Sequence, residues 1–356
     1  MSHRIFDRLI ERIKQFSFVL GTVLAVSLVV PESTQAASNK AAADSPSAKS
    51  TGSSKKKSAV KAVRKAETRF QKTTRTLKAQ KNTTLRKVGL PLRHDSDAGG
   101  VSPRLQSSAA LVIDQGTGEV LYEKNANAVV PIASITKLMT AMVVLDAALD
   151  LKEVITVTRD DIDLLKGSHS RLPVGAQVTR EHALLMALMS SENRAAHSLG
   201  RTYPGGLPAF VEAMNRKADA LGMSNSEFRD PTGLSSDNVS TAKDLGRMVA
   251  AAHSYPVIRE LTTTASAYID VGRYPVGYQN TNPLVKSRDW MIGLSKTGYI
   301  QEAGKCLVMQ AWVAGRPTVM VLLDSNGKLT RIADANRVRK WLENTTILAV
   351  NAQQKA

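Results

Sequence analysis

Hydrophobic and polar positions divide the chain into three regimes. Residues 16–30 are fifteen predominantly apolar positions in a row. Between 38 and about 103 large apolar residues almost disappear, and from Leu105 onward they return with regular spacing. The run 109–114 reads as a strand, Gln115-Gly116-Thr117-Gly118 as a turn, and 119–122 as the returning strand. After Pro131 the spacing predicts a helix over 134–149, with Leu138, Met142, Leu145 and Leu149 in one apolar stripe. Further helices are predicted at about 180–190, 194–201, 207–221, 242–254 and 257–261. Beyond a Gly- and Tyr-rich stretch around 268–283 the pattern returns to strands, at 292–298, 305–313 and 318–324. The last two are joined by a tight Ala314-Gly315-Arg316-Pro317 turn, and an amphipathic helix over 331–343 closes the pattern. Two strands, a block of helices, then strands and a helix predict an α/β protein of the α+β kind. Its expected form is an antiparallel sheet flanked by helices, with an all-helical insertion. No internal repeat is visible.

Composition changes this picture mainly at the N-terminus. The chain has 356 residues, 43% of them apolar, enough for a core in one large or two ordinary domains. Its net charge of +17 is unevenly spread. Residues 38–104 hold seventeen basic and four acidic side chains, for +13, whereas 105–356 carry +3 and 1–37 carry +1. Such a segment buries too little apolar surface to offset its ordering entropy, so 37–104 is expected to be a disordered basic linker. Within it Val60, Val63, Phe70 and Leu77 recur only loosely, over 59–79. Two uses stay open: a solvated spacer, or a tether to anionic envelope polymers. Ahead of it, Arg4, Arg8, Arg12 and Lys14 precede the apolar run, and Thr34-Gln35-Ala36 supplies small residues at cleavage spacing. That is the layout of a secretory signal over 1–36, and the run falls short of the roughly 20 residues that span a bilayer. An uncleaved anchor or a buried helix is the other use of such a run. A periplasmic protein is expected, with its folded domain over 105–350. The single cysteine, Cys306, excludes an internal disulfide framework.

Three short motifs carry candidate chemistry. In Ser134-Ile135-Thr136-Lys137 the three-residue spacing on a helix lets the Lys137 amine reach the Ser134 hydroxyl. A serine opening a helix also sits where negative charge is favoured. The string alone is weak, since it recurs at Ser53, Ser54, Ser58 and Ser325, and an N-cap serine with a surface lysine would look the same. Only the copy at 134 opens a long amphipathic helix after a strand pair. Lys296-Thr297-Gly298 lies in a predicted strand. A cation and a hydroxyl suit a peptide carboxylate there, and the glycine would let a substrate backbone approach the strand edge. A gatekeeping lysine with a bulge glycine is the bland alternative. Ser191-Glu192-Asn193 and Ser236-Asp237-Asn238 both read Ser-x-Asn. The first is preferred because it breaks two apolar helical runs, whereas the second follows Pro231-Thr232-Gly233-Leu234 in a polar loop.

Ser-x-x-Lys, Ser-x-Asn and Lys-Thr-Gly in this chain order are the set found in penicillin-binding proteins and class A β-lactamases. The stretches 131–142, 188–196, 230–234 and 295–299 resemble low-molecular-mass penicillin-binding proteins more broadly. Within that family the chain resembles the D-alanyl-D-alanine endopeptidase branch over about 105–345, and the basic segment lies outside the resemblance. The resemblance implies a penicillin-binding, β-lactamase-like fold and roles for each residue. Ser134 would attack a D-alanyl carbonyl to form an acyl-enzyme. Lys137 would be its base, which requires burial and the nearby Lys296 to depress the amine. Ser191 would relay a proton to the leaving amine, and Asn193 would hold Lys137 and the substrate. Lys296, Thr297 and Gly298 would bind the substrate's carboxylate side, and the backbone N–H groups of Ser134 and Tyr299 would form the oxyanion hole. Peptidoglycan stem peptides and cross-links would be the substrates and β-lactams the inhibitors, with no metal or cofactor.

Rival readings differ in what they require. A class A β-lactamase needs a glutamate to activate the deacylating water, and none is convincingly placed for that between the later motifs, with Glu212 and Glu227 left open. A DD-carboxypeptidase uses the same residues but in this family usually adds a C-terminal β-rich domain and an amphipathic helix. The chain stops soon after its closing helix, at Ala356, so the endopeptidase is expected. A zinc peptidase would need clustered ligands, whereas the histidines at 3, 94, 169, 182, 197 and 253 are scattered. No Gly-x-Ser-x-Gly elbow is present for a Ser-His-Asp hydrolase. A nucleic-acid binder would rest on 38–104, which lacks aromatic interleaving apart from Phe70. A non-catalytic wall-binding protein would keep the fold while tolerating loss of Ser134, and all three motifs are intact.

Overall fold

The computed structural model describes residues 102–272, 274–327 and 329–353, with side chains up to Ile347. The expected signal at 1–36 and all but the last three residues of the basic segment 37–104 lie outside these residues. The described chain opens with strands β1 (Ala109–Asp114), β2 (Val120–Lys124) and the short β3 (Val130–Pro131). A 3-10 turn (Ala133–Thr136) then leads into helix α1 (Lys137–Asp146). Strands β4 (Val154–Thr156) and β5 (Gln177–Thr179) bracket a long loop, and helices α2 (Arg180–Met189), α3 (Asn193–Arg201) and α4 (Gly206–Ala220) follow. Strand β6 (Val239–Ser240) precedes α5 (Ala242–His253) and α6 (Pro256–Thr263). A hairpin of β7 (Ser266–Asp270) and β8 (Pro275–Gln279) leads to β9 (Met291–Ile300), β10 (Gly304–Val313), β11 (Arg316–Ser325) and α7 (Thr330–Gln353).

Five strands form one antiparallel sheet in the order β2-β1-β11-β10-β9. Period-two alternation splits its side chains between two cores. On β10, Cys306 and Val308 join the larger core with Leu138, Met142, Leu245 and Met248 of the helices. Leu307, Met309 and Ala311 face the other way, against Ala335, Val338 and Leu342 of α7. The continuous buried run 306–311 therefore reflects a sheet covered on both faces. The sheet ends at β9, which has a strand neighbour on one side only.

The predicted class and most elements are found, with four differences. Ser134 does not open an α-helix: it lies in the 3-10 turn, and the α-helix runs only from Lys137 to Asp146, short of 149. The insertion between β2 and β9 is not purely helical, because β3 pairs β6, β4 pairs β5 and β7 pairs β8. The Gly- and Tyr-rich stretch is the β7–β8 hairpin, in which few side chains are buried: Ile269 and Tyr278 are, whereas Tyr268 and Tyr274 are exposed. The β10–β11 turn is tighter than predicted, with Ala314 and Gly315 at φ +50° and +79° and Arg316 and Pro317 already in the strand. Among the described residues no helix is long and apolar enough to cross a membrane, and no group of His, Cys, Asp or Glu is placed to hold a metal ion.

Candidate active site

The chain folds the Ser134 turn against the surface of β9. Ile132 N–H donates to the Asn238 carbonyl (3.1 Å), beside the β3–β6 pair. Ala133 then takes φ +48°, a left-handed conformation that costs a non-glycine residue of order 1 kcal/mol or more. Gly298 of β9 lies directly beneath. A Cβ on Gly298 would sit 2.9 Å from the Ile132 oxygen and 3.2 Å from the Ser134 nitrogen. On this side the space the glycine leaves open is filled by the Ser134 turn of the chain itself.

Lys137 is fully buried, whereas Ser134 is half-buried. The Lys137 amine donates to Ser134 Oγ (3.0 Å), Asn193 Oδ1 (2.7 Å) and the Thr232 carbonyl (2.7 Å). Burial penalises the ammonium and lowers its pKa from 10.5 to about 7, against the opposing pull of Asp230 and Glu192. Burial is the main cause of the depression, and the repulsion between the two buried amines disfavours charging both at once. That side chain is also buried, and desolvation, then Lys137 and Arg331, hold it well below its ordinary value.

The Ser-x-Asn residues serve different partners. Ser191 accepts from Lys296 Nζ (2.8 Å), whereas Asn193 accepts from Lys137 and donates its amide to Ser168 Oγ (3.0 Å). Ser191 sits in the middle of the α2–α3 break at φ +62°. Thr297 Oγ1 donates to Thr281 Oγ1 (2.6 Å). These six residues thus form two hydrogen-bonded sets, Ser134–Lys137–Asn193 and Ser191–Lys296–Thr297, whose two amines are close enough to repel each other. The alternative Ser236-Asp237-Asn238 lies elsewhere in the scheme. Its Asn238 is buried, donates to Thr136 Oγ1 and the Asp230 carbonyl, and accepts from the backbone N–H groups of Arg229 and Asp230. It ties the 230–234 loop to the Ser134 turn.

Several supporting residues escaped the sequence reading. Asp230 accepts from the N–H groups of Thr232, Gly233 and Ser235, shaping the loop that presents the Thr232 carbonyl to Lys137. Gly233, at φ +79°, has no room for a side chain: a Cβ would fall 1.9 Å from the Ala133 oxygen. Asp230-Pro231-Thr232-Gly233-Leu234 is the signal that could have found both. Arg331 of α7 has no such signal. Its Nη1 donates to the carbonyls of Gly298 (2.9 Å) and Cys306 (3.3 Å), register partners across β9 and β10. The Gly298 carbonyl therefore points toward β10. Tyr299 N–H belongs to the same trans peptide unit and points the opposite way, to the free edge of β9. That is the direction an oxyanion donor near Ser134 requires.

Comparison with known proteins agrees with this geometry. Residues 97–327 match the family described as D-alanyl-D-alanine carboxypeptidase. A D-alanyl-D-alanine endopeptidase of Pseudomonas aeruginosa is 49% identical over 272 residues, 76% of this chain and 85% of that protein. One from Escherichia coli is 46% identical over 252 residues, 70% of this chain and 81% of that protein. Among solved structures, a Streptomyces DD-transpeptidase superimposes with a TM-score of 0.64 at 27% identity, covering 68% of this chain and 98% of that one.

Proposed function

We propose, for a chain that belongs to the D-alanyl-D-alanine carboxypeptidase family of serine peptidases, that Ser134 is the nucleophile with which it cleaves D-alanyl cross-links in peptidoglycan. The chain is a serine DD-peptidase; the preference for cross-links over terminal D-alanine is the finer part of the proposal. Two similar proteins that are D-alanyl-D-alanine endopeptidases support it.

The observation that carries the reading is a fully buried amine 3.0 Å from Ser134 Oγ with its pKa held near 7. Near pH 7 about half of such lysines are neutral, against a few in ten thousand for an ordinary one. Neutral Lys137 accepts the Ser134 proton as Oγ attacks the D-alanyl carbonyl. The oxyanion forms between the N–H groups of Ser134 and Tyr299, where fixed donors are worth several kcal/mol. The C–N bond then breaks, the amine leaves with a proton passed through Ser191, and water later hydrolyses the Ser134 ester. Lys296 and Thr297 hold the carboxylate on the leaving side, with Gly298 keeping β9 close enough to do so. A β-lactam enters the same path and stays as the acyl-enzyme.

The test is labelling by a fluorescent penicillin. Wild type should label and Ser134→Ala should not; an unlabelled wild type would remove the nucleophile assignment. Turnover of a cross-linked muropeptide against a monomeric pentapeptide separates endopeptidase from carboxypeptidase. Residues 1–36 support export to the periplasm, checked by N-terminal sequencing of the mature protein. The basic segment 37–104 is proposed to cling to anionic envelope polymers, and its deletion should lower retention on envelope fractions. Unchanged retention would leave it a spacer.

A further inference from the structure

Beside the catalytic cluster, a recess of about 680 Å³ opens between residues 170–176 and the β7–β8 hairpin. Its walls include Val174, Val271 and Val276, and two arginines, Arg171 and Arg194, line it. Arg171 stacks over the Tyr278 ring at 4.5 Å and gives one N–H to the Gly277 carbonyl (2.6 Å). Arg194 gives one to the Leu172 carbonyl (2.8 Å). Among the described residues neither guanidinium pairs with a carboxylate, whereas Arg180, Arg201, Arg216, Arg229, Arg247 and Arg337 all do. A guanidinium has five donors, so each retains N–H groups for a planar anion.

The recess shares a wall residue, Arg171, with a second, smaller hollow that lies nearer the cluster and is also lined by Ser190 and Thr281. Ser190 precedes Ser191, and Thr281 accepts from Thr297, the hydroxyl assigned to the leaving-side carboxylate. Thr281, the partner of Thr297, thus lines the same hollow as Arg171, and Arg171 lines the same recess as Arg194. A carboxypeptidase releases a single D-alanine and has no use for a site beyond Thr297. Cleaving a cross-link releases a whole stem peptide with further free carboxylates.

We propose that this recess receives the stem peptide on the leaving side of a cross-link and binds one of its carboxylates through Arg171 and Arg194. The proposal rests on the DD-peptidase reading and gives the cross-link preference a structural source. Its test is equilibrium binding of an isolated stem peptide, with free or amidated carboxylates, to the full chain carrying Ser134→Ala. The free-acid peptide should bind at least about tenfold more tightly than the amidated one, and adding Arg171→Gln should remove that difference. Arg194→Gln, which leaves the Tyr278 stack intact, should reduce it. Equal affinity for the two peptides, or a difference that survives Arg171→Gln, overturns the recess. Penicillin labelling of the unsubstituted protein, which should occur and should vanish with Ser134→Ala, reports on the peptidase reading alone.

Discussion

Glutamate 192 lies in the middle of the Ser-x-Asn motif yet has no place in the chemistry. It is buried, and among the described residues its carboxylate accepts no hydrogen bond, but its charge raises the Lys137 pKa against the effect of burial. Glu192→Gln keeps the shape and removes that charge. A charge pair in a partly screened site is worth about 1–4 kcal/mol, and the low end, about 1.4 kcal/mol, is one pKa unit. The Lys137 midpoint should then fall from about 7 to roughly 6. At pH 6 the neutral fraction rises from about 9% to about 50%, while at pH 8.5 it is nearly complete in both proteins. The variant should therefore acylate about fivefold faster than wild type at pH 6 and equally fast at pH 8.5. The assay is the second-order rate of fluorescent-penicillin labelling from pH 5 to 9. A gain confined to acid pH cannot come from damage to the fold. An acid limb that stays in place, or moves alkaline, would refute Lys137 as the base whose ionisation limits the rate.

Other expectations follow from the same geometry. Gly233→Ala should displace the Ala133 carbonyl, lowering the thermal midpoint and slowing acylation at least about tenfold, since small misplacements of reacting groups are costly. Arg331→Leu frees the 298–299 peptide unit; penicillin affinity before acylation should hold while the acylation step slows about tenfold or more, measured by stopped flow. Lys137 also links stability to pH. Its folded pKa is depressed, so between about 7 and 10.5 the unfolded chain binds more protons and stability rises with pH. Lys137→Met should remove one proton's share of that slope, at most about 1.4 kcal/mol per pH unit, from urea titrations at pH 7 to 9. Lys296 keeps its own share in the same direction, and an unchanged slope would sink the assignment.

The strings that carry the chemistry were legible because each is local. Ser134 and Lys137 need only three-residue spacing, and Lys296 and Thr297 only a strand. How the strings are cross-wired was not legible. Asn193 serves Lys137 and Ser191 serves Lys296 because the α2–α3 break passes between the two amines. The 3-10 turn at Ser134 was hidden because its spacing to Lys137 is the same as in an α-helix, and the turn is packed between Gly298 and Gly233, which are distant in sequence. Left-handed backbone at Ala133 and Ser191 has no sequence mark, since neither is glycine. Arg331 reads as an ordinary helix residue until β9 and β10 are seen side by side.

The order of strands in the sheet sets when the enzyme can first work. The last strand to be synthesised, β11, lies at the centre, and Ala109 pairs with Leu323 near the far end of the domain. Pairings between such distant segments form late and slowly. The N-terminal hairpin has no sheet partner until β11 arrives, and the Ser134 turn has no shelf until β9 is in place beside it. A growing or truncated chain therefore holds the Ser134 turn without its support, and that turn is set only when the strands from Met291 onward have completed the sheet.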